Sequence, residues 1–120
     1  MRAHAAGLTL ACLVAGCAMT PQQTLDEGMK SVHRTAGAPA VAAGCIARNM
    51  ENESGMTARV RALDASGAQE VIVGMPGNPF GNAMFIVHLV SGETSGSTAT
   101  IYTAMGIRRE FWVGVMLKGC

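Results

Sequence analysis

The sequence predicts an α+β fold in which one helix packs on a four- to five-stranded antiparallel β-sheet. One segment has its apolar residues at helical spacing, and several later segments alternate apolar with polar residues. Only short runs rich in Gly, Ser and Thr separate most of those later segments. Because short turns can join antiparallel strands but not parallel ones, we expect the sheet to be antiparallel.

The helix is expected over residues 39–52. Pro39 suits the first turn of a helix, and the Asn-Glu-Ser-Gly run at 52–55 is typical of a helix end. Gly44 is unfavourable inside a helix but would allow a close approach to the sheet. The inward stripe of this helix consists of Val41, Ala42, Cys45, Ile46, Asn49 and Met50.

After the helix the hydrophobic period changes to two. Strands are expected over residues 57–64, 69–75, 83–90, 98–105 and 110–118, and a loop over 76–82. The core face of the sheet is expected to hold Val60, Val71, Val73, Phe85, Val87, Leu89, Phe111, Val113, Val115 and Leu117. Before the helix, residues 18–38 contain scattered Pro, Gln and Gly and are interpreted as a tether. A capping box at 24–27 could begin a short helix within it.

The strand residues that alternate with the core-facing ones predict a second sheet face, which combines cationic and aromatic side chains. Arg59, Arg61 and Trp112 are its candidate partner-binding residues, because Arg and Trp are enriched at the energetic centres of interfaces. The alternative is a structural one, in which the tether covers this face or the sheet curls into a small barrel. The other residues expected on the face are Ile72, Met84, Ile86, His88, Tyr102 and Met116.

The N-terminus carries the most specific motif of the chain. Arg2 precedes an apolar segment, residues 5–14, that is shorter than the roughly 20 residues a permanent membrane span needs. The segment leads into the run Leu-Val-Ala-Gly-Cys at residues 13–17, which resembles the lipobox of bacterial lipoproteins. The alternatives are an ordinary secretory signal and a buried apolar helix.

The lipoprotein resemblance implies an organisation and a location. Residues 1–16 would be removed as a signal peptide, and acyl chains such as palmitate on Cys17 would anchor the protein to a membrane. Residues 17–38 would form a lipidated tether, and residues 39–120 the small α+β domain. In this family an Asp after the lipidated cysteine commonly causes retention at the inner membrane. Ala18 occupies that position here, which favours the outer membrane and its periplasmic side.

Of the four cysteines, Cys12 would be removed with the signal peptide and Cys17 would be lipidated. Cys45 and Cys120 are then the two cysteines of the mature chain that can pair with each other. In an oxidising compartment we expect a disulfide between them, joining the helix to the last strand. Closing so long a loop would stabilise the domain by roughly 4 kcal/mol in the chain-entropy model. The alternative is a pair of free thiols, and no Cys-x-x-Cys redox motif is present.

Composition and spacing argue against several function classes. The chain has nine Lys and Arg against eight Asp and Glu, and Arg2 lies in the signal, so nucleic acid is not an expected partner. His88 has no Cys or carboxylate at ligand spacing, and we expect neither a metal nor another cofactor. Neither Ser91 nor Ser95 lies in a nucleophile motif, so no enzymatic activity is expected.

The sequence therefore favours a non-enzymatic binding or adaptor module of the cell envelope. Its partners would be the membrane, through the lipid anchor, and an envelope protein or the cell wall. The alternative is a lipoprotein inhibitor of a secreted hydrolase such as lysozyme. The stretch from Ser95-Gly96-Ser97 to Tyr102 has a short likeness to the Ser-Gly and Tyr loop of such inhibitors.

Overall fold

The computed structural model describes residues 19–75 and 82–120, and it confirms the α+β fold class. Within those residues, three helices accompany one five-stranded antiparallel sheet. The elements are α1 (Pro21–Glu27), β1 (Met29–Thr35), α2 (Pro39–Ser54), β2 (Thr57–Ala62), β3 (Gln69–Gly74), β4 (Phe85–Ser91), β5 (Ser97–Thr103) and α3 (Arg109–Leu117).

The sheet has the strand order β1-β5-β4-β3-β2, and each neighbouring pair is antiparallel. In the β2–β3 turn the Asp64 carboxylate accepts a hydrogen bond from the Ser66 amide (2.9 Å). Gly67 supplies the left-handed φ of 95° in the same turn. The Gly92 amide donates to the Gly96 carbonyl (2.9 Å) and closes the β4–β5 turn. Strands β2 to β5 therefore form a meander, and β1 lies beside β5 at the far edge.

Helix α2 covers one face of the sheet, and the core lies between them. The expected helix is confirmed: Pro39 lies in its first turn, and Gly55 ends it with a left-handed φ of 70°. Each large apolar side chain fully buried here contributes about 1.5–3 kcal/mol to folding. Val60 is on the same side of the sheet, but it lies in an edge strand and is exposed. The core residues are Ala42, Ala43, Ile46, Met50, Val71, Val73, Phe85, Val87, Leu89, Ala99, Ile101 and Met116.

The expected strand over residues 110–118 is wrong, because this segment forms helix α3. A short apolar run rich in valine fits either element when judged by periodicity alone. In the helix, Trp112 and Met116 lie one turn apart and pack against the core, where Met116 is fully buried. Phe111, which was expected in the core, is 60% exposed. Burial of one helix side has overridden the strand preference of the valines.

The segment interpreted as a tether, residues 18–38, contributes a helix and a strand to the structure. The Thr20 hydroxyl accepts a hydrogen bond from the Gln23 amide (3.2 Å), and the Gln23 side chain accepts one from the Thr20 amide (2.9 Å). This capping box begins α1 four residues before the one expected at 24–27. The following strand, β1, pairs with β5 along its whole length. The fifth strand therefore comes from before α2.

The predicted disulfide between Cys45 and Cys120 is present, with the two Cα atoms 5.9 Å apart. It joins α2 to the residues after α3 rather than to a strand. Beside it, Asn49 Nδ2 donates to the carbonyl oxygens of Met116 (3.0 Å) and Lys118 (2.8 Å). These bonds satisfy carbonyl groups that the end of α3 leaves without helical partners. The C-terminal segment is thus attached to α2 covalently and by hydrogen bonds.

Candidate functional site

The sheet face opposite α2 carries four basic side chains, Lys30, Arg34, Arg59 and Arg61, and we call it the cationic face. The strand register aligns its side chains in rows that cross the sheet. The first row is Lys30, Tyr102, Ile86, Ile72 and Arg59, and the second is Val32, Thr100, His88, Glu70 and Arg61.

The cationic face concentrates positive charge in a chain that is close to neutral overall. Lys30 and Arg34 lie on β1, Arg59 and Arg61 lie on β2 at the opposite edge, and all four residues are exposed. Glu70 is the one carboxylate in the two rows, and the other acidic residues that the structure describes lie in helices and turns. Because the two strands are far apart in sequence, this basic surface is not visible as a run of Lys and Arg.

A buried carboxylate orients the second row. The Glu70 side chain is only 3% exposed. Its Oε1 accepts a hydrogen bond from Arg61 Nε (2.6 Å), and its Oε2 lies 2.7 Å from His88 Nε2. An ionised carboxylate only accepts hydrogen bonds, so this contact places a proton on Nε2. Burial raises the pKa of the Glu70 carboxyl, but the hydrogen bonds from Arg61 and His88 outweigh burial and hold the pKa below its ordinary value.

Two aromatic rings lie between the basic edges of the face. The His88 ring packs edge-on against Tyr102, with ring centres 5.4 Å apart. Lys30 Nζ lies 6.0 Å from the centre of the Tyr102 ring, within the range of a cation–π contact. Both rings are half-buried and present part of their surface. A ligand lying across the strands would therefore meet basic groups at both edges and aromatic surface between them.

The structure brings Arg59 and Arg61 together but separates them from Trp112. The Trp112 ring lies on the α2 side of the sheet, with its centre 6.4 Å from that of Phe85. The expectation that Trp112 shares a face with the two arginines is wrong, because it depended on a strand over residues 110–118. Two other residues expected on this face pack against the core instead: Met84 and Met116.

Three charged members of the cationic face were not predicted from the sequence: Glu70, Lys30 and Arg34. Glu70 precedes Ile72 by two residues, so strand parity alone would have put both on one face. Lys30, Val32 and Arg34 alternate with the residues between them, which is a strand signal within the segment interpreted as a tether. Besides Arg59 and Arg61, four expected members lie here: Ile72, Ile86, His88 and Tyr102.

The chemistry that this arrangement offers is hydrogen-bond donation and attraction of negative charge. Both oxygens of Glu70 are engaged by Arg61 and His88. Within residues 19–75 and 82–120, no three His, Cys, Asp or Glu side chains come together as a metal-ligand group. The groups available to a ligand are thus guanidinium, ammonium and aromatic ring.

The Ser95 to Tyr102 segment is not a single loop. Ser95 lies in the β4–β5 turn, beside a cavity of about 210 Å³ that Arg34 also lines. Tyr102 lies near the other end of β5, seven positions later and so roughly 20 Å away along an extended strand. The two side chains therefore lie at opposite ends of β5.

Cys17 and residues 76–81 of the expected loop lie outside the described residues. In the part of the chain that the structure does describe, no helix has the length and apolar character to cross a membrane. No protein-family model matches the chain. No curated protein is significantly similar to it in sequence.

Proposed function

We propose that this chain is a lipid-anchored module of the bacterial cell envelope that binds an acidic protein through the cationic face. It acts by binding and not by catalysis. The observation that carries the proposal is that four exposed basic residues from both sheet edges share one face, on which a buried carboxylate holds one of them, Arg61. That carboxylate fixes the direction of Arg61 and His88 before any partner arrives.

The anchor is proposed from the lipobox-like run at residues 13–17. Acylated Cys17 would hold the protein at the outer membrane on its periplasmic side, because Ala18 rather than Asp follows it. The Cys45–Cys120 disulfide supports an oxidising compartment such as the periplasm.

An acidic protein partner is favoured by the charge and the rings of the face. Exposed ion pairs contribute about 0.2–1 kcal/mol each, so four of them give specificity and fast association more than affinity. The half-buried Tyr102 and His88 add aromatic surface of the kind found at the centre of protein interfaces. Binding of this type weakens as salt rises.

The test uses the full acylated chain, immobilised in detergent, to capture proteins from envelope extract. Arg59→Ala/Arg61→Ala removes two charges from the cationic face. Arg48→Ala/Arg108→Ala removes two exposed charges outside it and is the matched control. We expect the wild type and the control variant to capture the same protein, and Arg59→Ala/Arg61→Ala to lose at least tenfold of it. Circular dichroism of each variant checks that the fold is retained.

Equal capture by both double variants would contradict the proposal. Capture of cell-wall sacculi or of nucleic acid, with no protein, would overturn the choice of partner. Inhibition of lysozyme added to the same extract would replace the proposal by the hydrolase-inhibitor alternative.

The anchor is tested separately with Cys17→Ser. This variant should lose palmitate labelling and leave the membrane fraction, since the acyl acceptor is gone. It should still capture the partner from solution. Palmitate labelling that persists in Cys17→Ser would refute the anchor.

A further inference from the structure

We infer that the outer edge of β1 adds one extended strand of the partner, and that this strand carries two acidic residues four positions apart with an apolar residue midway between them. This mode of recognition rests on the proposed binding of an acidic protein and specifies its geometry. Three features support it: the direction of the β1 backbone groups, the charges along that edge, and a recess between β1 and α3.

Hydrogen bonds at both ends of the β4–β5 pair fix which backbone groups face which neighbour. The Gly92 amide donates to the Gly96 carbonyl (2.9 Å), and the Ala104 amide donates to the Met84 carbonyl (2.9 Å). Both pairs continue the register of β4 with β5, so the even-numbered residues of these strands bond to each other. The odd-numbered residues of β5 are consequently directed towards β1.

The same alternation directs the backbone of Lys30, Val32 and Arg34 away from the sheet. Odd-numbered residues of β1 lie opposite the odd-numbered residues of β5 and bond to them. Among the described residues, no strand lies on the outer side of β1. The next outward amide, that of Ala36, donates to the Cys120 carbonyl (2.8 Å). The free edge is therefore three outward residues long.

The side chains at this edge determine which strand fits. Lys30, Val32 and Arg34 all lie on the cationic face, and Val32 is 60% exposed. In an added antiparallel strand, the residues directly opposite these three share their face and are two positions apart. Acidic residues opposite the two cations and a β-branched residue opposite Val32 give favourable pairs. The complementary sequence is acidic-x-apolar-x-acidic.

A recess on the other side of the same edge accepts the intervening side chains. It has a volume of about 370 Å³ and lies between β1 and α3. The two x residues of the acidic-x-apolar-x-acidic pattern would lie opposite Ser31 and His33. These two residues line the recess together with Val113 and Gly114 of α3. A Cβ built on Gly114 meets nothing within 4 Å, so this wall leaves room for a neighbouring side chain. Small or medium side chains suit the x positions.

A second copy of this chain is not a suitable occupant of the edge. Antiparallel self-pairing that uses all three outward residues puts Val32 opposite Val32, and Lys30 of each copy opposite Arg34 of the other. Like charges directly opposite each other destabilise a strand pair. The other edge strand, β2, directs the backbone of alanine and valine residues outward. Arg61 of that strand already donates to the Glu70 carboxylate (2.6 Å), whereas Lys30 and Arg34 of β1 make no ion pair with a carboxylate of the described residues.

Three peptides test the inference with the acylated full chain. The first is acetyl-Ser-Thr-Glu-Thr-Val-Thr-Glu-Thr-Ser-amide, which carries the complementary pattern. The second has the same composition, but its second Glu is moved one position towards Val and therefore to the other strand face. The third is the first peptide with an N-methyl group on Val, which removes one edge hydrogen bond and keeps every side chain. By isothermal titration calorimetry, we expect the second and third to bind at least tenfold more weakly than the first.

Protein variants and amide exchange give independent readouts. Lys30→Glu/Arg34→Glu should reject the first peptide and accept its analogue with Lys in place of both Glu. Arg48→Glu/Arg108→Glu, outside the edge, is the matched control and should bind the first peptide as the wild type does. Hydrogen exchange of the Lys30, Val32 and Arg34 amides should slow when the first peptide binds, with no change at the odd-numbered amides of β1.

The outcomes separate this inference from the proposed function. Equal binding of the N-methylated peptide, or of the peptide with the displaced Glu, would overturn strand addition. Association of the chain with itself through β1 would also overturn it. If the first peptide fails while capture of an envelope protein still depends on Arg59 and Arg61, only the inference is lost. If both fail, the proposed function is lost as well.

Discussion

The disulfide between Cys45 and Cys120 should supply a large share of the free energy of unfolding. The two residues are 75 positions apart. A cross-link over that separation removes about 15 cal/mol/K of entropy from the unfolded chain, which corresponds to about 4.5 kcal/mol at room temperature. Domains of this size unfold with roughly 5–15 kcal/mol in total. The variant Cys45→Ser/Cys120→Ser should therefore be marginally stable.

Urea unfolding followed by fluorescence measures this loss. Trp112 is the single tryptophan of the chain, and its ring packs against Phe85, so its emission reports on the core. With a slope of about 1.5 kcal/mol per molar urea, a loss of 4.5 kcal/mol lowers the midpoint by about 3 M. Wild-type protein treated with a reductant should unfold at the same midpoint as the double-serine variant.

A small loss of unfolding free energy in the double-serine variant would refute this prediction, provided that the wild type contains the disulfide. Peptide mapping without reduction must first show a fragment that joins Cys45 to Cys120 in the wild type. If the double variant then loses less than about 1 kcal/mol, constraint of the unfolded chain is not the source of the stability. Residual structure in the unfolded chain would then be the physical explanation.

Three further predictions concern single residues. Trp112→Ala should cost about 2–3 kcal/mol in urea unfolding followed by circular dichroism, because the half-buried ring packs against Phe85, and partner capture by the folded fraction should not change. The wild type should be more stable than Glu70→Gln by a constant amount above pH about 4.5, and this difference should disappear as the pH falls through the lowered pKa of Glu70. Thermal melts of both proteins across that pH range test the prediction. A stability difference that does not change with pH would contradict it. Gly96→Ala should cost about 1–3 kcal/mol in the same melts, because its Cβ would collide with the Thr35 carbonyl, whereas an unchanged melting temperature would show that the turn adapts.

The elements that could be predicted from the sequence are those in which several local signals agree. Helix α2 has Pro39 at its start, an apolar stripe and Gly55 at its end, and strands β2 to β5 keep a period of two. Helix α3 could not be predicted in this way, because an apolar run such as residues 111–117 satisfies both periods. Its state is decided by packing against α2, which the local sequence does not contain.

The candidate site was predictable to the extent that strand parity was correct. Parity placed Arg59, Arg61 and His88 on one face, and the structure agrees. The partnership of Glu70 with Arg61 and His88 needs the alignment of three strands, which parity within one strand does not give. The basic residues of β1 needed a pairing between segments about seventy residues apart, from before α2 to β5.

The start of α1 determines how far the folded domain can stand from an acylated Cys17. Met19 already belongs to the fold: it is buried, and its carbonyl accepts a hydrogen bond from the Ala83 amide (2.8 Å). Two peptide units separate Met19 from Cys17 and span at most about 7 Å. Lipidation would hold the end of the sheet where β4 begins close to the lipid headgroups, with the β4–β5 turn roughly 20 Å further along the strands. Partner binding would then be restricted to proteins that come within a few nanometres of the bilayer surface.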